Sequence, residues 1–111
     1  MATTTYKILG QIAPAANVSG GTTLYAPTGA AAVVSTLSIC NRASTAATYR
    51  IAVRQGGAAL ADRQYLFYDA TVPAFTTNTH TLGLTLAATD IITAVASTAN
   101  LTFQAFGSEV A

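Results

Sequence analysis

Apolar and polar residues alternate along most of this chain in the two-residue rhythm of β-strands. The alternation is clear at Tyr49, Ile51 and Val53, and again in the segment 81–86, where Leu alternates with Thr and Gly. Side chains two positions apart lie on one face of a strand, so each segment predicts a strand with one face in a core. No window shows the 3.6-residue period of a capped amphipathic helix. The pattern therefore predicts an all-β protein.

We predict eight short strands, at residues 4–11, 22–26, 32–41, 48–54, 64–70, 76–86, 91–97 and 101–106. The segments between them carry turn residues. The glycine pairs at 20–21 and 56–57 permit positive φ, the three prolines fix φ and remove a donor, and Asn41 and Asn100 tolerate the left-handed conformation. Residues 57–63 are predicted as a loop or a single helical turn.

Eight strands at intervals of about ten residues predict a single antiparallel β-sandwich with Greek-key or jelly-roll connections. A chain of 111 residues has room for one domain, which we assign to residues 1–111. Residues 1–5 are predicted as a short N-terminal arm, and residues 109–111 as a second short arm. The pattern leaves the strand order open.

Composition adds an expectation of assembly. The chain contains 24 Ala and 19 Thr, only 8% of its residues are charged, and none is charged between Lys7 and Arg42. Soluble proteins carry about 25% charged residues, so this surface, with a net charge of +1, has weak self-repulsion and suits contact with protein. Five basic residues nearly matched by four acidic ones argue against nucleic acid as a partner.

A membrane partner is not expected either. The longest run of small apolar residues, 30–40, is shorter than the about 20 residues that a spanning helix needs, and no secretory signal is apparent. The single Cys40 cannot form an internal disulfide, which fits a reducing compartment. Its position in a predicted strand favours a buried small hydrophobe over a reactive thiol.

The chain offers no assembled set of reactive groups. One His80 and one Cys40 cannot supply the about four ligands of a structural zinc site. A hydrolytic triad would need His80 to meet a Ser and either Asp69 or Asp90, but no nucleophile-elbow motif frames any Ser, and His80 is predicted to be exposed or at an interface. We therefore predict no catalytic, cofactor-binding or metal-binding residues, no cofactor, and no enzymatic activity.

Two side-chain groups suggest surface contacts. Arg50 and Arg54 are an even number of positions apart on one predicted strand and would share a face, with Asp62 and Asp69 as candidate partners.

The densest aromatic group is Tyr65, Phe67 and Tyr68, the type of platform on which β-sandwiches bind sugars. Strict alternation would put Tyr65 and Phe67 on one face and Tyr68 on the other, so one of these faces would fill the core. A carbohydrate-binding module is therefore one alternative function, although the chain has no Trp.

Five segments are similar to sequences of known proteins. They are TYKILGQ at 5–11, TLYAP at 23–27, STLSICNR at 35–42, YRIAVR at 49–54 and FQAFGSE at 103–109. Together they resemble small structural proteins of tailed bacteriophage virions, notably those of phages of cyanobacteria and marine bacteria. The resemblance extends from Tyr6 to Glu109 and consists of strand and turn sequences.

This resemblance implies a virion component made in the cytoplasm of a host bacterium. The leading expectation is a capsid decoration (cement) protein that binds and stabilises the assembled head. Its partners would be the major capsid protein or another virion protein, and further copies of itself in a homo-oligomer, with a trimer as the expected form. The alternative is a tail, neck or fibre-base adaptor. Expected contact material comprises exposed strand edges, the N-terminal arm, and aromatics such as Tyr25 and Phe75.

Overall fold

The computed structural model describes residues 3–111 and confirms the predicted all-β sandwich. The eight strands lie within a few residues of their predicted positions, except that the last one extends further. They are β1 (Thr4–Ile12), β2 (Thr22–Tyr25), β3 (Ala31–Asn41), β4 (Ala47–Arg54), β5 (Tyr65–Val72), β6 (Thr77–Ala87), β7 (Ile91–Ala96) and β8 (Leu101–Val110). The β4–β5 connection holds two 3-10 turns, Gln55–Gly57 and Asp62–Gln64, where the sequence predicts a loop or one turn.

The strand order is that of a jelly roll. The first sheet has the order β1-β8-β3-β6 and the second the order β2-β7-β4-β5. Strands pair antiparallel as β1 with β8, β2 with β7, β3 with β6 and β4 with β5, as if one long hairpin had been rolled up. The additional pairs β3–β8 and β4–β7 complete the two sheets. Two sheets of this kind pack face to face over one core.

Tyr49 of β4 lies at the centre of that core. It is 1% exposed, and its ring meets Phe103 edge-on at 6.1 Å between centroids and Phe67 at 6.2 Å. Aliphatic side chains from both sheets, such as Leu37 and Ile51, complete the buried cluster. Complete burial of one such large side chain is worth about 1.5–3 kcal/mol, so this layer supplies the main stabilisation of the fold.

Both predicted arms belong largely to the first sheet. Thr4 and Thr5 are part of β1, whereas residues 1 and 2 lie outside the described part of the chain. The prediction of an arm at residues 109–111 is wrong, because β8 continues to Val110 and Glu109 is buried. The physical reason is that β8 lies between β1 and β3 and is paired on both edges.

The turns follow the prediction at the glycines and depart from it elsewhere. All four residues of the two glycine pairs have positive φ. The non-glycine residues with positive φ are Asn17, Asp69 and Phe75, and Asn41 and Asn100 are not among them. Asn41 is instead buried, and its Nδ2 donates to the carbonyls of Thr45, Val72 and Pro73. It thereby ties the β3–β4 loop to the β5–β6 loop.

An interruption of the strand register crosses the first sheet. The pairing of β1 with β8 shifts between Ile8 and Gly10. The pairing of β3 with both β8 and β6 shifts between Val34 and Thr36. Gly107 of β8 lies in this row, and a Cβ on it would stand 2.0 Å from the Val33 carbonyl oxygen. Bulges of this kind bend a sheet and increase its twist.

Candidate functional site

His80 lies half-buried on the inner face of β6, so the prediction of an exposed side chain is wrong, whereas the alternative of an interface contact stays a prediction. Its ring stacks on Phe67 at 4.0 Å between centroids, and its Nε2 lies 2.7 Å from the Tyr49 hydroxyl. Burial lowers the pKa of the imidazole below its ordinary value. Alternation along β6 turns His80 to the same side as Leu82 and Leu84, which pack against the core. These contacts give His80 a structural role between the two sheets.

Cys40 is half-buried, so the prediction of a fully buried thiol is wrong. Its neighbours Ile39 and Asn41 are both buried on the same strand. The alternation that turns them inward leaves Cys40 on the outer face of β3, level with Thr77 and Thr102 on the adjacent strands.

Within residues 3–111, no group of three or more His, Cys, Asp or Glu residues is placed to hold a metal ion. Three carboxylates have structural partners. Asp90 accepts the backbone N–H groups of Gly56 and Ala87, each at 2.8 Å, and these bonds lower its pKa. Asp69 and Glu109 are bound by side chains, as described below. None of the helical turns in the described range is long and apolar enough to cross a membrane.

Glu109 is the centre of a hydrogen-bond cluster where β8 meets β1 and the β2–β3 loop. Its carboxylate accepts from the Tyr25 hydroxyl, from the backbone N–H and hydroxyl of Thr28, and from Lys7 Nζ at 3.0 Å. These donors hold the pKa of Glu109 at about 2, the Tyr25 bond contributing most. Burial and the adjacent carboxylate raise the pKa of Tyr25. Because Tyr25 is only 6% exposed, its prediction as contact material is wrong.

Exposed apolar side chains cluster on the outer face of the first sheet. Tyr6 and Ile8 of β1 are 85% and 55% exposed, and they lie beside Val33 of β3 and Phe106 of β8. Ser108 pairs with both Tyr6 and Val33, and Phe106 pairs with Ile8, so the four apolar side chains occupy two adjacent rows. Tyr6, Val33 and Phe106 line a shallow depression, and Ile8 lies beside Phe106. We call Tyr6, Ile8, Val33 and Phe106 the apolar face.

The sheet edges differ in how they are protected. β1 carries a charge and a bulge, β2 has only four residues, and β5 contains register shifts and a residue of positive φ. β6 has eleven residues with no charge and no proline, and within the described chain it pairs only with β3. Charges, prolines, bulges and shortness are the usual devices that prevent edge pairing. The first half of β6, residues 77–81, has none of them.

A polar groove crosses the outer face of the second sheet. Arg50 of β4 forms a two-pronged ion pair with Asp69 of β5, with Nε to Oδ1 at 2.7 Å and Nη2 to Oδ2 at 3.2 Å. This pairing lowers the pKa of Asp69 and raises that of Arg50. The guanidinium also lies 4.0 Å from the ring centroid of Tyr68, which meets Tyr65 edge-on at 5.0 Å.

The residues that line this groove come from four segments of the chain. They are Asn17, Val18, Ser19 and Gly20 of the β1–β2 loop, Thr48, Tyr49 and Arg50 of β4, Leu60, Tyr65 and Asp69 in and before β5, and Val95 and Ser97 at the end of β7. We call this the Arg50 groove.

Tyr65, Phe67 and Tyr68 are divided between the two faces of the second sheet in a way that strict alternation does not predict. Phe67 packs against the core, but Tyr65 and Tyr68 contact each other on the outside. A register shift in the β4–β5 pairing explains the difference: Ile51 pairs with Phe67, but the next residue, Ala52, pairs with Tyr65. The predicted pairing of Arg50 with Asp69 is present, whereas Arg54 donates to the carbonyls of Gly57 and Ala58.

Phe75 is 73% exposed in the β5–β6 loop, at the opposite end of the sandwich from Tyr6. Sequence patterns did not single out the apolar face, because Tyr6 and Ile8 alternate with inward residues like any half-buried strand. Its outward direction depends on the pairing of β1 with β8.

Comparison with models of protein families, with curated proteins and with solved structures finds no match to this chain. What the protein does must therefore be inferred from its own residues.

Proposed function

We propose that the protein is a structural component of a tailed-phage virion, a decoration protein that binds the assembled capsid and stabilises it. The observation that carries this proposal is the apolar face. Tyr6, Ile8 and Val33 are three large hydrophobic side chains held outward on a rigid sheet. Adjacent exposed apolar side chains on a protein surface mark sites of contact with other proteins.

The jelly roll and the sequence resemblance support the same function. Jelly rolls recur among viral capsid domains, although a fold alone does not determine a function. The low charge of the chain favours contact over repulsion. Among the described residues that line the depression in the apolar face, Lys7 alone is charged, and it is bound to Glu109. A capsid surface of neutral character would meet no unpaired charge there.

Stabilisation of the shell would follow from mass action. A protein that binds the assembled lattice and not its free subunits shifts the equilibrium towards the assembled state. Repeated copies, joined as a homo-oligomer with three protomers as the expected number, would multiply modest contacts through effective concentration. The unprotected edge of β6 offers main-chain donors and acceptors for contacts between protomers or with the capsid.

Copy number distinguishes decoration from the main alternative, a tail, neck or fibre-base adaptor. We expect purified virions to contain this chain at hundreds of copies, in a fixed ratio to the major capsid protein, measured by quantitative mass spectrometry. A ratio corresponding to a few or tens of copies per particle would rule out the decoration function and favour the adaptor.

Binding of variants tests the apolar face itself. The double change Tyr6→Ser and Ile8→Thr removes apolar area from exposed positions, and the matched control Leu66→Thr removes an exposed apolar side chain from β5 of the second sheet. On capsids stripped of this protein, we expect the double variant to lose at least about tenfold in affinity, about 1.4 kcal/mol, and the control to bind normally. Equal binding by both would show that another surface contacts the capsid.

A further inference from the structure

Several polar side chains line the Arg50 groove. Some of their hydrogen-bonding groups have no partner within the described residues. Within residues 3–111, no hydrogen bond joins the side chains of Asn17, Ser19 or Thr48 to another residue. Ser97 Oγ accepts from the Thr48 backbone N–H at 2.9 Å, and its own proton is not donated to any described residue. Convergent polar groups in a surface depression are the usual mark of a ligand site.

The charges in the groove cancel. Arg50 uses two of its five N–H groups on Asp69, and each oxygen of Asp69 keeps a lone pair for a further donor. The pair therefore presents donors and acceptors side by side with no net charge. An anionic ligand would be repelled by Asp69 and a cationic one by Arg50, so the arrangement suits a neutral ligand rich in hydroxyl groups.

The aromatic side chains add a second feature. Tyr65 lines the groove, and its edge-on contact with Tyr68 fixes the position of both rings. The Arg50 guanidinium lies over the face of the Tyr68 ring. An aromatic wall beside paired donors and acceptors fits a sugar ring, which has an apolar C–H face and hydroxyl groups at its edge.

The backbone fixes both walls. Asn17 and Asp69 each have positive φ, on opposite sides of the groove, and Asn17 is anchored by its N–H to the Ala96 carbonyl at 2.8 Å. Such conformations are costly for residues other than glycine and persist only where the surrounding structure holds them.

We infer that the Arg50 groove binds a neutral saccharide, with Arg50 and Asp69 bonding to its hydroxyl groups and Tyr65 contacting its ring. This site lies on the second sheet, whereas the apolar face lies on the first. One molecule can therefore contact a protein lattice and a glycan at the same time. The inference stands independently of the proposed role in the capsid.

Titration of the 111-residue protein, followed by amide NMR, tests the inference. The probes are four neutral oligosaccharides of different linkage, maltohexaose, cellohexaose, mannohexaose and chitohexaose. We expect at least one to cause saturable shifts at Thr48, Arg50 and Ser97, with a Kd of about 1 mM or tighter. Absence of saturable shifts with all four, or shifts confined to another surface, would overturn the inference.

Variants assign the binding to the groove. Arg50→Gln removes the charge and most donors, and we expect it to weaken binding at least about tenfold. Asn17→Gly deletes an unpartnered side chain at a position whose φ glycine accepts, and Thr48→Val deletes a hydroxyl at nearly constant volume. Both should weaken binding even if Arg50→Gln does not fold.

The matched control is Thr85→Val on the exposed outer face of β6, which should bind like the unmodified protein. If Asn17→Gly and Thr48→Val also retain full affinity, the saccharide binds elsewhere and the inference is wrong.

Discussion

The Tyr49 hydroxyl and Nε2 of His80 lie 2.7 Å apart, and their hydrogen bond joins β4 of one sheet to β6 of the other. Asn78 Nδ2 donates to the same hydroxyl at 3.2 Å and to the Thr71 carbonyl of β5 at 3.0 Å. Together with the stacking of His80 on Phe67, these bonds connect the sheets along the side formed by the edge strands β5 and β6. They position the unprotected edge of β6.

The His80 contact predicts a pH dependence of stability. Burial lowers the pKa of His80 in the folded protein, so below the ordinary value of 6.5 the unfolded chain takes up a proton that the folded chain resists. We expect the free energy of unfolding, measured by urea denaturation, to fall as the pH drops from 6.5 towards the lower folded pKa. The direction follows because the unfolded state binds more protons in this range.

His80→Phe keeps the ring on Phe67 but removes the bond to Tyr49. We expect a loss of about 1 kcal/mol at pH 8, the usual net value of a hydrogen bond, together with loss of the pH dependence just below 6.5. If His80→Phe leaves that dependence unchanged, His80 is not its source.

The Glu109 cluster predicts a separate loss of stability in acid. The folded pKa of Glu109 is about 2, against an ordinary value of 4.5, so its contribution is complete above pH 4.5 and is lost as the pH falls from there towards 2. We expect Glu109→Gln to lower the melting temperature at pH 7 and to flatten the acid limb of the stability curve. An acid limb of unchanged steepness in Glu109→Gln would contradict this assignment.

Tyr25→Phe provides a graded comparison, because it removes only one of the donors to Glu109. A hydrogen bond to a charged group contributes about 1.5–3 kcal/mol, so a loss within or somewhat below that range is expected at pH 7. Calorimetry should show a smaller effect than for Glu109→Gln, since Thr28 and Lys7 still hold the carboxylate. An effect larger than that of Glu109→Gln would contradict the position of Glu109 at the centre of this cluster.

Gly107→Ala should destabilise the first sheet. An added Cβ would meet the backbone carbonyl of Val33 at 2.0 Å, and a backbone atom cannot move aside as the end of a side chain can. Overpacking of this kind costs about 1–3 kcal/mol. Gly83→Ala is the matched control, because a Cβ there meets nothing within 4 Å. Equal stability of the two variants in chemical denaturation would contradict the close approach of β8 to β3.

Cys40 should react with a thiol reagent in the folded protein. It is half-buried on the outer face of β3, so a reagent such as dithionitrobenzoate can reach the sulfur without unfolding. We expect the native protein to be labelled, at a lower rate than the urea-unfolded chain. Labelling that occurs only after unfolding would contradict this accessibility.

The two-residue periods around Tyr49 and in segment 81–86 could be converted directly into strands, because side-chain alternation depends only on local backbone geometry. The glycine pairs likewise predicted positive φ correctly. The predicted burial of Cys40 and the predicted exposure of His80 were wrong. Alternation shows that the two faces of a strand differ, but it does not show which face packs against the other sheet. Local patterns also failed at Tyr65, which lies outside although Phe67 packs against the core, because the β4–β5 register shifts between these two residues.

The sequence by itself therefore determined the all-β class and the eight strands, since both follow from local periodicity. Tertiary structure decided the jelly-roll order, the burial of Glu109, the apolar face around Tyr6 and the assembly of the Arg50 groove. These features join residues up to 102 positions apart, as in the bond between Lys7 and Glu109. Contacts between such distant residues depend on which strands pair and in which register, and no local pattern encodes that choice.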